Sequence, residues 1–504
     1  MAAEHYPPHW LYQSQARDFV EPPTASVRQD ARISDVVSVM SSNTSHVAVM
    51  QPDGTFSHLA EAHTIVQWFA RGLSLSDRLP PPVPNASQTI PAHASVLTAL
   101  SHMIALERSA IPVVDGDGRL LGLFNRDRIL TRASGFLWDV AQAGAQGAAS
   151  GGDSTGNPGT AMRQWQLAIA ETMLDDEIPA EAILATITGI NNEVHRRVLA
   201  DAITALENDG WGTPPLPFSF LVLGSSGRME NFLDTDQDNA LIIGEPEPNS
   251  REATQTYFIA FAERIADGLA ASGFPHCKGN MMGTSPVWRK TADEWRRQIR
   301  TWVRRKEPVL LMNCDALLDM SHVAGHEHLA KDLHRDLLDM VRREPGFLRA
   351  LYGIEEDHGV GLDWLGRLAR EKDDFGSVAE LNLKLKGLLP LIEGARLLAV
   401  STGLTETSTV ARFRKLCKVG VIHEDTMADL IFAFRMIAAR LLRHQIAMRQ
   451  LPGSSPIRVA HASMSRAQQA ALRAALRDIA RFRSQLPSLL ESAAMRAVEV
   501  RAQD

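Results

Sequence analysis

The stretch that most limits what this chain can fold into is residues 218 to 243, FSFLVLGSSGRMENFLDTDQDNALII. Phe218 to Leu223 is an apolar run dense in strand formers. Gly224-Ser225-Ser226-Gly227-Arg228 is a small, flexible turn, and a second apolar run starts at Ala240. The pattern predicts strand, Gly/Ser turn, short helix, strand.

Asp236 and Asp238 precede the second run, and residues two apart on a strand share a face. Two carboxylates side by side need protonation, cations or open water. Mg²⁺ resolves the conflict, because it prefers a few carboxylates plus phosphate oxygens and water. Two such ions, about 3.5–4 Å apart, can hold the attacking and leaving oxygens of a phosphoryl displacement. The turn supplies a complement. Gly224 lets backbone approach a ligand closely. Ser225, Ser226 and Gly227 suit a helix start, where free N–H groups attract phosphate. Arg228 adds a planar, permanently charged fork.

Gly-Ser followed after ten residues by Asp-x-Asp resembles the nucleotidyltransferase superfamily that includes DNA polymerase beta. The fuller string GSSGRMENFLDTDQDNALI is similar to a nucleotidyltransferase family related to the N-terminal domain of protein-PII uridylyltransferases, whose members commonly carry CBS domains. Gly224, Ser225, Gly227, Arg228, Glu230, Thr235, Asp236, Gln237, Asp238, Asn239, Ala240 and Leu241 match its pattern. The resemblance implies a two-ion Mg²⁺ site on Asp236 and Asp238, with Gly224, Ser225, Ser226, Gly227 and Arg228 cradling a nucleoside triphosphate. Val309 to Met312 and Ala316 to Asp319 read as a third strand region. Resemblance to the family segment ending Phe-Asp-Phe-Arg makes Asp319 the third metal-binding and catalytic carboxylate, with Asp315 as rival. Cys277, Gly279, Met282, Pro286 and Trp288 match a further family segment that lines the pocket or serves as a folded connector.

A chain of 504 residues should hold about three domains. Its hydrophobic share of 45% supports a core without disulfides, and its three cysteines form no C-x-x-C pair. That usage fits a reducing cytoplasm. The net charge of −7 argues against a nucleic-acid-coating protein. No secretory signal and no membrane-spanning run is visible.

Residues 1 to about 140 hold an internal repeat. Ser45 and Ser109, Asp53 and Asp117, and Ile65 and Ile129 are each 64 apart. Each copy reads as helix, strand, Asp-Gly hairpin, strand, helix, and should pack against the other. The pair resembles tandem CBS domains, which implies an adenosine nucleotide between the copies or a packing and dimerising module. Asn125 and Arg128, and Glu61 and Thr64, stand where the family's ribose contacts fall; Asp127 is one position out of register. Pro80-Pro81-Pro82 and Pro84 form a stiff connector, and His46, His58, His63, His93 and His102 have no metal-ligand spacing. Residues 141 to 160, small and almost uncharged, mark the clearest boundary. Ile183 to Leu206 has helical periodicity and reads as a helical hairpin on the sheet. A basic helix carrying Arg296, Arg297, Arg300, Arg304 and Arg305 is either a phosphate-binding or a solvated face. After residue 340 the chain reads as helical, with Leu381 to Val400 bent at Pro390 and a frayed tail after Leu490. Lys384, Arg396, Arg443 and His444 are candidates to face the cleft.

The expected architecture is multidomain α+β. It comprises a CBS pair (20–138), a linker (139–160), a polymerase-beta-like nucleotidyltransferase domain with a mixed sheet (161–340), and an all-α C-terminal domain (341–490). The expected function is Mg²⁺-dependent transfer of a nucleoside monophosphate from NTP to a hydroxyl, with a protein acceptor implied by resemblance. The alternative is a catalytically silent nucleotide-sensing regulatory protein. A homodimer is expected at family level. RNA-tail synthesis is disfavoured by the mild acidity.

Overall fold

The computed structural model describes residues 15–22, 25–40, 46–81, 89–92, 110–125, 158–344, 346–356, 359–369, 371–372, 379–448 and 457–501, with Ala94, Val96, Ala99, Met103, Arg108 and Ile129 singly. Residues 141–157 of the linker, Pro82, Pro84, His93, His102, Asp127 and Arg128 lie outside them. Two units separate, Met1–Phe136 and Leu137–Asp504.

In the first unit the repeat is visible strand by strand. Strands β1 (Val20–Glu21), β2 (Ser26–Arg28), β3 (His46–Met50) and β4 (Phe56–Glu61) precede β5 (Ile90–Pro91), β6 (Ala110–Val114) and β7 (Leu120–Asn125). Strands β3 and β6, and β4 and β7, are each offset by 64 residues. The offset extends to an irregularity in pairing, which falls between Val49 and Met50 in one copy and between Val113 and Val114 in the other. One sheet has the order β2-β3-β4 and the other β1-β7-β6-β5. Two short helices, α1 (Ile33–Val39) and α2 (Ala62–Ala70), flank the first hairpin. Ala48, Phe56 and Leu59 pack with Val114, Leu120 and Leu123 of the second copy, so each copy buries apolar surface that it cannot bury alone. Thr64 is occupied in capping α2, its hydroxyl accepting from the Glu61 N–H.

The second unit starts with two helices, α3 (Pro158–Asp175) and α4 (Ala180–Asn208). The helical periodicity from Ile183 to Leu206 is thus one long helix, paired with α3. A mixed sheet follows, ordered β10-β9-β8-β11. Its strands are β8 (Phe218–Val222), β9 (Asn239–Ile243), β10 (Arg289–Thr291) and β11 (Ser321–Gly325). Both β8 and β9 are buried at every residue, so both faces of the sheet are covered. On one face Phe218, Phe220 and Val222 pack against Val194 and Val198 of α4 and Phe258 and Phe261 of α6 (Arg251–Ala271). Helix α6 is also the crossover that makes β10 parallel to β9. Helix α7 (Ala292–Arg305) anchors through three mutually packed tryptophans, Trp288, Trp295 and Trp302. Within this helix Arg296 pairs with Asp293 and Asp336.

The expected third strand region is a helix, α8 (Pro308–Leu318). Pro308 at its first turn favours a helix start, and a short apolar run does not distinguish helix from strand by periodicity. Asp319 follows immediately, before β11. Helices α9 (Glu327–Arg343) and α10 (Phe347–Glu356) lead into the C-terminal module.

That module is not all-α. A small sheet, β12 (Glu371–Lys372), β13 (Ala379–Asn382) and β14 (Arg458–Ala460), accompanies α11 (Leu389–Thr402), α12 (Thr409–Lys418), α13 (Glu424–Met448) and α14 (Arg466–Arg501). The last helix runs on to Arg501 rather than stopping near Leu490. Before α11, Lys384–Leu388 forms a π-helical turn. Pro390 explains it: proline lacks an N–H and clashes with the carbonyl four residues back. That carbonyl, on Lys386, instead accepts from the Gly361 N–H at 2.9 Å. No helix among the described residues is long and apolar enough to cross a membrane.

Candidate active site

Antiparallel pairing of β8 with β9 sets Val222 opposite Asn239. The Gly/Ser turn leaving β8 and the acidic segment entering β9 therefore meet at one end of the sheet. The Leu223 N–H donates to the Asp238 carbonyl at 3.0 Å. Gly224, at φ +54°, faces the Asp238 carboxylate; a Cβ there would stand 3.8 Å from Oδ2. The helix that follows, α5 (Gly224–Gly227), is one turn long.

Asp236 and Asp238 lie just before β9 rather than inside the strand. Gln237 between them points inward. It is fully buried, and its Nε2 donates to the carbonyls of Ala266 and Phe274, both at 2.9 Å. Alternation then turns the two carboxylates the other way. Gln237 also bridges to His276, and its N–H donates to Pro275, which brings Cys277 alongside. One ligand atom each from Asp236, Asp238 and Cys277 lies within 4.8 Å of the others.

Burial and the neighbouring Asp236 charge push the Asp238 carboxyl up to about 6. Burial pushes the Cys277 thiol up to about 11, so it stands beside Asp238 as a neutral hydrogen-bond donor. Asp238 Oδ1 is buried with no hydrogen-bond partner. Two carboxylates, one with an orphaned oxygen, fit a hard divalent cation. A proton on Asp238 must leave before a cation takes its oxygens. Mg²⁺ affinity is therefore expected to be level above about pH 7 and to fall up to about tenfold per unit below the Asp238 value. Calorimetric Mg²⁺ titration between pH 5 and 8 measures this.

The turn itself is held from three sides. Ser225 and Ser226 hydroxyls donate to Asn231 Oδ1 at 3.1 and 2.9 Å, and the Asn231 N–H donates to Thr188 of α4. From the C-terminal module, Thr407 donates to the Gly227 carbonyl at 2.9 Å, and Glu230 accepts from the Thr409 N–H at 2.7 Å. Gly227 is required by packing rather than by ligand approach. A Cβ there would lie 1.7 Å from the Asp319 carbonyl oxygen. Gly227→Ala is expected to destabilise the protein by about 2–3 kcal/mol or more in a urea melt. Gly224→Ala, with open space at its Cβ, should cost about 1–2 kcal/mol from its backbone conformation alone.

The structure corrects the expected roles of Asp319 and Arg228. Asp319 is fully buried and outside the Asp236–Asp238 cluster. Its carboxylate takes Nη1 of Arg228 and of Arg396 at 2.6 Å each, and Nη1 of Arg412 at 2.7 Å. Burial works against this charge, but Arg412, Arg396 and Arg228 outweigh it and hold the carboxyl well below the ordinary range. In this structure the Asp319 carboxylate serves three guanidinium groups rather than the Asp236–Asp238 cluster. The rival Asp315 pairs with the same Arg396, at 2.5 Å. The Arg228 fork is engaged too, its Nε on Glu230 at 2.8 Å and its Nη1 on Asp319. The sequence does not show this cluster, because Arg396 and Arg412 arrive from distant helices. Arg443 lies against Leu174 and Asp175. The charge of Lys384, another C-terminal candidate, acts on the acidic pair.

Residues 165–309 match the family model described as "Putative nucleotidyltransferase DUF294", and residues 345–488 match its companion, "Putative nucleotidyltransferase substrate binding domain". Together they take in more than half of the chain. The chain belongs to this nucleotidyltransferase family. The CBS domain model matches residues 79–135, the second copy of the repeat. Solved structures similar to this DUF294 nucleotidyltransferase include a CBS domain protein from Pyrobaculum aerophilum complexed with AMP. It is 19% identical, covers 22% of this chain and 86% of that chain, and has a TM-score of 0.20. Another is a CBS domain pair/ACT domain protein from Thermotoga maritima, 18% identical over 22% and 88% of the two chains, TM-score 0.20. No curated protein matches the chain.

Proposed function

We propose that the protein transfers a nucleoside monophosphate from a nucleoside triphosphate to a hydroxyl, on a protein acceptor, in the manner of protein-PII uridylyltransferases. The observation that carries this reading is the Asp236–Asp238 pair, with its orphaned Asp238 oxygen, set against the Gly224 turn. Asp236 and Asp238 would hold Mg²⁺, which when bound neutralises charge on phosphoryl oxygens. Gln237 aims the two carboxylates, and Cys277 orients Asp238. Gly224 leaves the space beside Asp238 open. Thr407 and Thr409 couple the turn to the substrate-binding module, so the acceptor hydroxyl is presented from that side. The CBS unit supplies regulation, through an adenosine nucleotide such as the AMP in the Pyrobaculum protein.

Incubation of the protein with labelled NTPs, Mg²⁺ and cell extract tests the reading. Label should move to a protein with wild type and not with Asp236→Asn or Asp238→Asn. One observation favours a second reading, a nucleotide-holding regulatory protein. Asp319 is committed to three arginines, and no third carboxylate joins the pair among the described residues. Tight NTP binding with no transfer to any protein in the extract would select it.

A further inference from the structure

The arginines of α7 form a pattern that the acidic pair does not use. Two ion pairs cross from α7 to α9, Arg296 Nε to Asp336 Oδ2 and Lys306 Nζ to Glu344 Oε1, each at 2.7 Å. Lys306 makes its pair from left-handed backbone, φ +54°, which few residues other than glycine adopt. At helical rise, residues 296 to 306 and 336 to 344 span about 15 and about 12 Å. Between the two pins lies a cavity of about 580 Å³, within the size range of small-molecule sites. Val303 and Met340 give it apolar lining. Arg300 and Arg304, one turn apart on α7, and Arg343 on α9 give it cations. The pins consume the carboxylates of Asp336 and Glu344. Among the described residues, no hydrogen bond or ion pair engages the side chains of Arg300, Arg304, Arg343 or Asp339. Three unmatched guanidinium groups therefore share the cavity with one unmatched carboxylate. Cations in a helix's last turn offset the helix dipole, which accounts for Arg304 and Arg343 but not for Arg300, a turn earlier.

We propose that the cavity between α7 and α9 is a binding site for a small polyphosphate, held by Arg300, Arg304 and Arg343. None of its lining residues belongs to the Asp236–Asp238–Cys277 cluster, so the inference does not rest on the nucleotidyltransferase reading. Its physical basis is charge balance. Like charges gathered in one cavity repel one another, and an anion that bridges them relieves the repulsion. Guanidinium groups match phosphoryl oxygens with paired N–H donors, and a chain of phosphates presents enough anionic oxygens for three of them. The pins argue against an acidic protein segment. The space between them holds about four residues of extended chain, so a longer segment would have to rise over an ion pair at each end. Asp339 can accept from a sugar hydroxyl, which gives a nucleoside polyphosphate one contact more than an inorganic one.

Calorimetric titration of the full-length protein with inorganic triphosphate in EDTA tests this, because without a divalent cation the Asp236–Asp238 pair repels the probe. Wild type is expected to bind it. Arg300→Gln and Arg343→Gln should each weaken binding by about fivefold or more, and together by about twentyfold or more. Arg297→Gln removes a charge from the same helix but from outside the cavity, and should stay within about twofold of wild type. Asp339→Asn removes the opposing charge and should tighten triphosphate binding by about twofold or more. Arg300, Arg304 and Arg343 are exposed, so melting temperatures should stay near wild type. ATP binding tighter than triphosphate would assign a nucleoside polyphosphate, and equal affinity would assign the phosphate chain itself. Wild type that binds no triphosphate, a double variant that binds like wild type, or equal losses in Arg297→Gln and Arg300→Gln would overturn the assignment. So would a hexaglutamate peptide that binds more tightly than triphosphate. The transfer assay with Asp236→Asn judges the nucleotidyltransferase reading separately.

Discussion

Asp319→Asn is expected to destabilise the protein by about 3–5 kcal/mol, enough to leave a large unfolded fraction. The carboxylate is fully buried and neutralises parts of Arg228, Arg396 and Arg412 within 2.7 Å. Removing it leaves those guanidinium groups crowded together in a low dielectric, where like charges repel most strongly. A urea melt at neutral pH measures the loss. The Asp319 carboxyl is held below its unfolded value of 3.8, so its contribution is fully present above that value and is lost as pH falls below it. Wild type should therefore lose stability in acid along a branch that the asparagine variant lacks. If Asp319 instead served as a metal ligand, the variant would melt like wild type and lose only Mg²⁺ affinity. The measurement separates a structural carboxylate from a catalytic one.

Asp238→Asn is expected to act in the opposite direction on stability while abolishing transfer. The Asp238 carboxyl rises from 3.8 to about 6 on folding, chiefly through burial and then through the Asp236 charge. The folded state binds that proton more tightly than the unfolded chain. Stability accordingly falls as pH climbs between the two values, and the penalty is complete above the upper one. Partial solvent access reduces the effect to about 1–2 kcal/mol. In EDTA at pH 8, Asp238→Asn should melt above wild type, and at pH 4 the difference should vanish. Mg²⁺ should raise the melting temperature of wild type and not of the variant. Transfer should drop on the order of 10³-fold or more, because the metal contribution is several kcal/mol. An asparagine variant less stable than wild type at pH 8 would mean that the Asp238 charge is already satisfied by protein, and would remove the case for a cation there.

Local pattern carried far in this chain. The run from Phe218 to Ile243 encodes its own strand, turn and strand, because an apolar, polar, apolar order with glycine at the bend leaves few alternatives. Alternation alone sends Gln237 inward and the flanking aspartates outward. The repeat in the first unit is legible at single-residue offset, down to the paired irregularities at Met50 and Val114. Proline and apolar runs were less decisive. Pro308 opened a helix where a strand was expected, and Pro390 produced a π-turn rather than a simple bend, because the outcome depends on what receives the freed Lys386 carbonyl.

What the sequence by itself determined is therefore the short-range part: which residues form the acidic pair, that they share a side, and that a glycine turn belongs beside them. Only the tertiary structure decided which charges are available. Asp319 and Arg228 look like site residues in one dimension, but their partners Arg396 and Arg412 lie far along the chain and meet them only in the folded protein. Coulomb interactions depend on distance in space and on burial, and neither can be read from spacing along a sequence. That same folding paired Arg228 with Asp319 and Glu230 and set Lys384 where the acidic pair feels its charge.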